Sequence, residues 1–430
     1  MDLVTPTVFT ILIRYLTDFD YDDPSIDLYK FHPQIRIFLV FNGIFFNNKD
    51  SYLRYFWPLT SALLTIVACV LELMFIYHGF DIKDYSFATE CFSYFMVIST
   101  VPIVYASVLF NRNKILNLLN NMNNDFVYIC NLGPKYKDAF LRGQLLIWKL
   151  CIMWFIFILT IIIVYSMSTL VALLLQSLFA TQTEYTVRPL IFPMWLPADD
   201  PYRTPNYEIF LIIELLFCVI VPQTFCVYIY LLFHLLLHYY YLMNIIILDV
   251  EVIFDGLDET VGLLPQRNPC RVEVQAILNK RMRRIVEWHI SVSKSVKDVS
   301  SIYGPPLVYQ VMFSSMIICL MGYQVAEVSN SFIKFTSTQN IAACIQSWIP
   351  CYLGTLIRNK AFSIGDTFWN CGWHEKPLGR LLRQDIIIVI MRAQQPISIK
   401  FIGLPNLELE TFSSIMSTAY SYFNLLRQYK

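Results

Sequence analysis

Apolar positions in this chain gather into long runs, and about seven of those runs are long enough to cross a bilayer. A span needs roughly 20 apolar residues, which places the candidates near 55–77, 87–110, 145–179, 209–241, 302–328, 341–357 and 407–426. The fourth run does not stop where a bilayer would. Apolar positions continue from 209 to 248, about 60 Å as one helix, against a hydrocarbon core about 30 Å thick. Tyr239, Tyr240 and Tyr241 read as an inner aromatic belt, so Ile245 to Leu248 beyond it must be covered by protein, from this chain or from other subunits. Pro222 is a candidate kink within this helix.

Shorter amphipathic stretches lie between the spans. Residues 271–299 place Ile277, Met282, Ile285, Val286, Val292 and Val296 on one face of a basic helix, and residues 378–393 are apolar but too short to cross. Both read as inner helices. Gly304, Pro305 and Pro306 mark an expected bend where the first of them enters the fifth span. Stretches 8–16 and 35–46 of the amino arm suggest short helices at the membrane surface, with a loosely ordered arm as the alternative.

Charge then orients the bundle. Lys49, Arg54, Arg112, Lys114, Lys137, the basic cluster at 280–284, Lys294, Lys297, Arg358, Lys360 and Arg392 fall in connections on one side. The other side holds only Lys83, Arg188, Arg203, Lys334, Arg427 and Lys430. By the positive-inside rule the amino end is cytoplasmic and, with an odd number of spans, the carboxyl end is outside. That orientation is opposite to a G-protein-coupled receptor. The expected fold class is an all-α membrane protein of seven transmembrane helices with inverted topology and cytoplasmic helical extensions. Its divisions are a cytoplasmic arm at 1–54, helices 1–6 with their extensions at 55–358, a cytoplasmic loop and helix 7a at 359–406, and transmembrane helix 7b with a short outer tail at 407–430.

Composition adds mainly exclusions. Formal net charge is zero and 56% of residues are hydrophobic, so no electrostatic case exists for a nucleic-acid partner. No cleavable signal is expected, and the first span should serve for insertion. The eleven cysteines fall in spans or inner segments, where an outer disulfide is not expected. No Asn-x-Ser/Thr acceptor occurs.

Candidate chemistry is sparse. Glu72, Glu90, Glu214 and Glu327 sit near outer ends of spans, within reach of water, which weakens a proton-relay or ion-site reading. His234 and His238 have the i, i+4 spacing of a metal pair but no visible third ligand, and Cys371 with His374 does no better. The expected metal and cofactor content is none. HExxH, GxSxG and a phosphate-cradling glycine loop are all missing, so an enzyme is not expected. The 280–284 cluster could bind calmodulin or anionic lipid, yet a basic inner helix beside a membrane needs neither.

Two regions could bind or conduct. Aromatic and flexible side chains crowd the outer halves of four spans: Phe92, Tyr94, Phe95; Tyr165, Met167, Thr169, Leu173; Phe210, Ile213, Phe217; Gln346, Trp348, Cys351. Loosely packed, they could enclose an apolar pocket with a few polar handles; singly, most such residues only pack or face lipid. The last span interleaves Ser413, Ser414, Ser417, Thr418, Tyr420, Ser421 and Tyr422 with apolar residues. It should face protein or water, either lining a pore or bonding its hydroxyls back to its own carbonyls.

The outer segment at 189–208, with Trp195, Pro197, Asp199, Asp200, Tyr207 and Glu208, resembles the second extracellular loop of insect odorant receptors. Gln395-Pro396, the run from Leu407 to Phe412, and the run from Ala419 to Leu426 are similar to that family's carboxyl signature. The loop wording most resembles moth sex-pheromone receptors. The resemblance implies an odorant-tuning subunit of a ligand-gated, non-selective cation channel. Its implied partners are the shared odorant receptor co-receptor in a heterotetramer, a volatile lipid-like pheromone, and membrane lipid. The implied location is the plasma membrane of olfactory neuron dendrites. The same resemblance places the pocket in the outer halves of the spans, subunit contact in the cytoplasmic helices, and the pore along Ser414, Thr418, Tyr422, Leu425 and Tyr429 of the last helix. The alternatives are a gustatory-type ligand-gated channel, which shares the orientation, and a G-protein-coupled receptor, which rests on span count alone.

Overall fold

The apolar runs fold as long helices in the computed structural model, which describes residues 26–41, 43, 55–179, 188, 190–192, 194–197, 200–327, 333–395, 397–399 and 406–428, with only the backbone described for a few, Tyr165 and Thr169 among them. In chain order the helices are α1 (Leu28–Phe31), α2 (Gln34–Phe41), α3 (Phe56–Asp81), α4 (Tyr85–Ile98), α5 (Thr100–Phe110), α6 (Arg112–Cys130), α7 (Pro134–Phe179), α8 (Asn206–Glu251), α9 (Pro269–Glu327), α10 (Ile333–Asn370), α11 (Gly379–Ala393) and α12 (Leu409–Gln428). A short 3-10 turn at Glu259–Leu263 is the only other regular element among the described residues, and no strand occurs among them.

Among the described residues, five stretches are long and apolar enough to cross a membrane: α3, α4 with α5, the first part of α7, α8 and α9. The second runs from 85 to 110 with its helix interrupted only at Ser99. The sixth and seventh expected spans fall on α10 and α12, outside that set: α10 interleaves Gln346, Ser347, Trp348, Pro350 and Tyr352 with its apolar residues, and α12 interleaves hydroxyls. Asp84 caps the start of α4 by accepting from the Phe87 amide at 3.0 Å. There α3 and α4 pack closely: a methyl group on Gly79 would lie 2.9 Å from the Ala88 methyl.

α8 is the central helix. Every residue from 224 to 239 is buried, as expected of a helix that is apolar on all sides. Tyr239 is among them, so it belongs to the core, while Tyr240 and Tyr241 are half-buried. Beyond these tyrosines Ile245 and Ile246 are fully buried in the same cluster as Met122 and Phe126 of α6, Leu278 and Met282 of α9, Phe368 of α10 and Ile386 of α11. The cover predicted for the overlong fourth helix therefore comes from this chain itself.

Charges finish that end of the bundle. Arg281 donates to the carbonyls of Val252, Ile253 and Asp255 at 3.2, 2.8 and 2.9 Å, satisfying groups that the end of α8 leaves open. Asp249 of α8 accepts from Arg284 at 2.8 Å and from the Tyr136 hydroxyl at 2.7 Å, tying α7, α8 and α9 together. Burial, then the neighbouring Asp249, pushes the Tyr136 hydroxyl up to about 12. The basic stretch at 280–284 thus spends Arg281 and Arg284 on internal contacts.

The described part of the arm docks on the same cluster. The Leu28 amide donates to Asn123 at 3.1 Å, and Phe31 packs on Phe126 with ring centroids 5.7 Å apart. α2 covers the first half of the stretch expected at 35–46, and the stretch at 8–16 lies outside the described residues. His32 brings a third imidazole to the expected pair: its Nε2 lies 3.1 Å from Gln144, whose Nε2 is 3.3 Å from His238, and its ring meets His234 at 4.5 Å. No group of three or more His, Cys, Asp or Glu among the described residues is arranged to hold a metal ion. Pro305 and Pro306 lie inside α9, which continues through them as helix.

Candidate functional site

Five helices and one loop enclose a cavity of about 130 Å³ toward the end of the bundle that carries the 190–200 loop. α7 contributes a stripe at helical spacing, Trp154, Phe157, Ile158, Ile161 and Ile162. α8 adds Phe217, Cys218, Val221, Pro222 and Phe225, centred on the proline that the sequence marks as a kink candidate. α4 supplies Tyr94, Val97 and Ile98; α9 supplies Met321; α10 supplies Ala342, Ala343 and Gln346; the loop supplies Phe192. The wall is aliphatic and aromatic, and Gln346, Tyr94 and Cys218 are its only residues with polar side-chain atoms besides Trp154. Such a lining selects by shape and apolar contact, and leaves few groups to orient a polar end.

The loop wall is held from within. The Glu214 carboxylate, fully buried on α8, accepts the amides of Ile191 at 2.8 Å and Phe192 at 3.3 Å. Phe192 then meets the Tyr94 ring edge-on at 4.8 Å. Further along, Trp195 stacks on His78 at 3.9 Å, and Tyr207 is buried beneath the Arg188 guanidinium at 5.3 Å. Glu208 accepts from Thr204 at 2.9 Å and Arg188 at 3.3 Å. Asp200 accepts the Tyr202 amide at 2.9 Å, while Pro197 is exposed. Asp199 lies outside the described residues.

The far wall of the cavity is shared with α12. Ile415 and Ala419 of that helix pack with Ile318 and Cys319 of α9, and Ala343 of α10 packs against this small cluster while also lining the cavity. A displacement of Ala343 therefore disturbs the small cluster in which α12 is seated. The same two helices are joined lower down. Arg358 of α10 pairs with the buried Glu408 just before α12, the Leu409 amide donates to Thr355 at 2.9 Å, and a methyl group on Gly354 would meet the Leu407 carbonyl oxygen.

α12 itself has two faces. Ile415 and Ala419 are buried, with Met416, Phe423 and Leu426 packed beside them; Ser413, Ser414, Ser417, Tyr420, Ser421, Tyr422 and Leu425 are exposed. Thr418 bonds back to the Ser414 carbonyl at 2.8 Å and Ser421 to that of Ser417 at 2.9 Å. Thr418 and Ser421 are thus satisfied within the helix, and the exposed hydroxyls present an oxygen-rich surface.

The comparisons with known proteins decide the family. A family model described as 7tm Odorant receptor matches residues 87–420. The chain belongs to the 7tm odorant receptor family. Odorant receptor 13a of Drosophila melanogaster is 29% identical over 166 residues, 36% of this chain and 40% of that protein. Odorant receptor Or2 of Anopheles gambiae is 21% identical over 253 residues, 56% of this chain and 61% of that one. The matched stretches thus span less than two thirds of these relatives' lengths. The insect olfactory receptor OR5 from Machilis hrabei, solved in complex with eugenol, superposes with a TM-score of 0.70 at 15% identity, covering 94% of this chain and 99% of that one. The chain therefore shares that all-helical fold, and its membership of the family makes it a multi-pass membrane protein rather than an enzyme.

Among the candidate pocket residues of the receptor, Tyr94, Phe217 and Gln346 line the cavity. Phe92 and Phe95 stack on each other beside it at 6.4 Å. Met167 is exposed, Leu173 half-buried, and Tyr165 and Thr169 share their part of α7, which continues past the cavity. Phe210 is half-buried and Ile213 exposed one to two turns before Phe217, Trp348 stacks on Tyr352 at 4.8 Å, and Cys351 is buried in the main core. Of the candidate pore residues, Ser414, Tyr422 and Leu425 are exposed on α12 and Thr418 is half-exposed; Tyr429 lies outside the described residues. The cavity residues that sequence reading missed sit deeper along α7 and around Pro222. The i, i+3, i+4 stripe from Trp154 was the available signal.

Proposed function

We propose that this receptor is the odorant-tuning subunit of a ligand-gated, non-selective cation channel that assembles with the shared co-receptor in the plasma membrane, amino end inward. One observation carries the reading: Ala343 both lines the apolar cavity and packs into the cluster that seats α12. A ligand that fits better when this wall has moved favours the moved arrangement by its difference in affinity for the two states. With the hydroxyl face of α12 along a pore, and Leu425 among its exposed residues, that movement can wet or dry an apolar constriction.

Partnership is supported by apolar surface outside the spans. Ile290 of α9 and Ile388 and Met391 of α11 are each about 60% exposed or more on helices that carry basic residues, a surface suited to burial against another subunit. The inward amino end is supported by the sorting of Lys and Arg between the two sides.

The ligand is a volatile, mostly apolar molecule. A void of about 130 Å³ is close to the ~150 Å³ that accepts one benzene ring in an engineered apolar cavity. A long-chain pheromone, to which the loop wording points, needs this cavity to lengthen along α7 toward Met167 and Leu173. The test is whole-cell recording from cells expressing the receptor with the co-receptor, against fatty alcohols, aldehydes, acetates and eugenol. Current evoked by a compact or chain-shaped volatile supports the reading. Silence across the panel from correctly delivered receptor removes it, and responses to sugars without the co-receptor indicate the gustatory alternative.

A further inference from the structure

Two hollows adjoin along α9 and α11; they share no lining residue with the cavity above and approach it where Tyr309 hydrogen-bonds Ser99, next to the cavity-lining Ile98. One is an open space of about 970 Å³, the other of about 390 Å³, and both are lined by Ser293, Lys297 and Arg392. Lys294 joins the smaller wall, and no Asp or Glu lines either. Lys114 of α6 stands beside the larger one, its Nζ donating to Ser301 at 2.9 Å. Among the described residues neither Lys297 nor Arg392 has a carboxylate partner; Arg392 donates to Gln395 at 2.7 Å. Burial, and then the Arg392 charge, lowers the His289 imidazole in the smaller hollow below its ordinary value, so the site disfavours further positive charge.

The other end of the larger hollow has different chemistry. From Gly304 the wall climbs α9 through Val308, Met312 and Phe313 toward the span, about 13 Å of apolar surface along the helix. Met312 is 57% exposed. The groove thus puts cations at one end and a greasy wall at the other, with the wall running in the direction of the bilayer.

We propose that this groove binds one anionic phospholipid, its phosphate held by Lys297 and Arg392 and an acyl chain laid along Val308, Met312 and Phe313. Arg392 offers a planar fork matched to phosphate oxygens, and Lys297 a point charge beside it. Cations that repel one another across an acid-free wall gain most from an anionic guest. A soluble phosphate would leave the apolar wall uncovered, whereas a lipid covers both ends. The same positive lining opposes passage of cations, which sets the groove apart from a conduction route. The proposal is independent of how the receptor gates.

The test uses full-length receptor in nanodiscs of phosphatidylcholine with a minority of phosphatidylserine, released into detergent and weighed intact by native mass spectrometry. Wild type should retain phosphatidylserine in preference to phosphatidylcholine. Lys297→Gln with Arg392→Gln should lower that preference on the order of tenfold, and Lys297→Arg should keep it. A phosphatidylserine with a photoactivatable tail should label the peptide holding Met312 and Phe313 in wild type, a readout that needs no variant. Equal retention or equal labelling with the phosphatidylcholine analogue overturns the proposal. So does an unchanged preference in the double variant, or complete displacement by inorganic phosphate, which would make a soluble anion the occupant.

Discussion

The buried Glu214 carboxylate accepts the Ile191 amide at 2.8 Å, fastening the loop at 190–192 to the central helix at the rim of the cavity. The next amide, of Phe192, binds the other carboxylate oxygen at 3.3 Å, and the Phe192 ring closes the wall. One side chain therefore holds the lid of the candidate site.

Glu214→Ala should release that lid. A hydrogen bond contributes about 0.5–1.5 kcal/mol net, so losing both should speed ligand departure severalfold or more. Current decay after odorant washout reads this. Decay as slow as in wild type, at equal surface expression, would show that the loop does not govern exit.

Cavity size should set tuning. Phe217→Ala enlarges a void of about 130 Å³ and should shift the preferred ligand toward longer chains, while Val221→Phe should fill it and abolish responses without reducing surface delivery. A dose–response series over chain length measures both. An unaltered series in both variants would place the ligand elsewhere.

The contact between α10 and α12 tolerates no added carbon. Gly354→Ala would push a methyl group into the Leu407 carbonyl oxygen, which lies directly against the glycine. The start of α12 must then shift, and ligand-evoked current should fall severalfold, or spontaneous opening should rise, at unchanged surface expression. Wild-type currents from the variant would mean that this joint plays no part in gating.

Acid should loosen the packing of α9 on α11. His289 is buried, and its folded-state pKa is lowered below 6.5, first by burial and then by Arg392. A depressed pKa means a contribution present above the unfolded value and lost as pH falls from about 6.5 through the folded value. Thermal melting of purified receptor at pH 7.5 and 5.5 should show a larger drop in wild type than in His289→Gln. Equal drops would assign the acid sensitivity to other groups.

Much of the fold could be read in the sequence because its strongest signals are physical necessities. A run of apolar residues from 209 to 248 has to be covered, and the structure buries Ile245 and Ile246 within the chain's own main core. The hydroxyl-rich last span turned out to have one packed face, with Ile415 and Ala419, and one exposed face. The cavity was only partly legible: Tyr94, Phe217 and Gln346 line it, but its α7 wall lies at Trp154 to Ile162, deeper than the positions from Tyr165 to Leu173. Within a span every face is apolar, so composition gives no sign of which depth encloses a void. Glu214 was visible as an ionisable residue, yet its partners are backbone amides about twenty residues away, which no spacing rule announces. His32 joins His238 through Gln144 across three separate segments for the same reason.

The central claim, that a ligand in the Ala343 cavity moves α12 to open a cation pore, is tested most directly in excised patches. Receptor and co-receptor are expressed together, the bath holds no nucleotide, and odorant is applied for milliseconds to wild type and to Ala343→Trp. The account predicts prompt cation current in wild type and loss of the odorant response in the variant, with both proteins equally present at the surface. Wild-type current that requires nucleotide, or an undiminished response from Ala343→Trp, would contradict it.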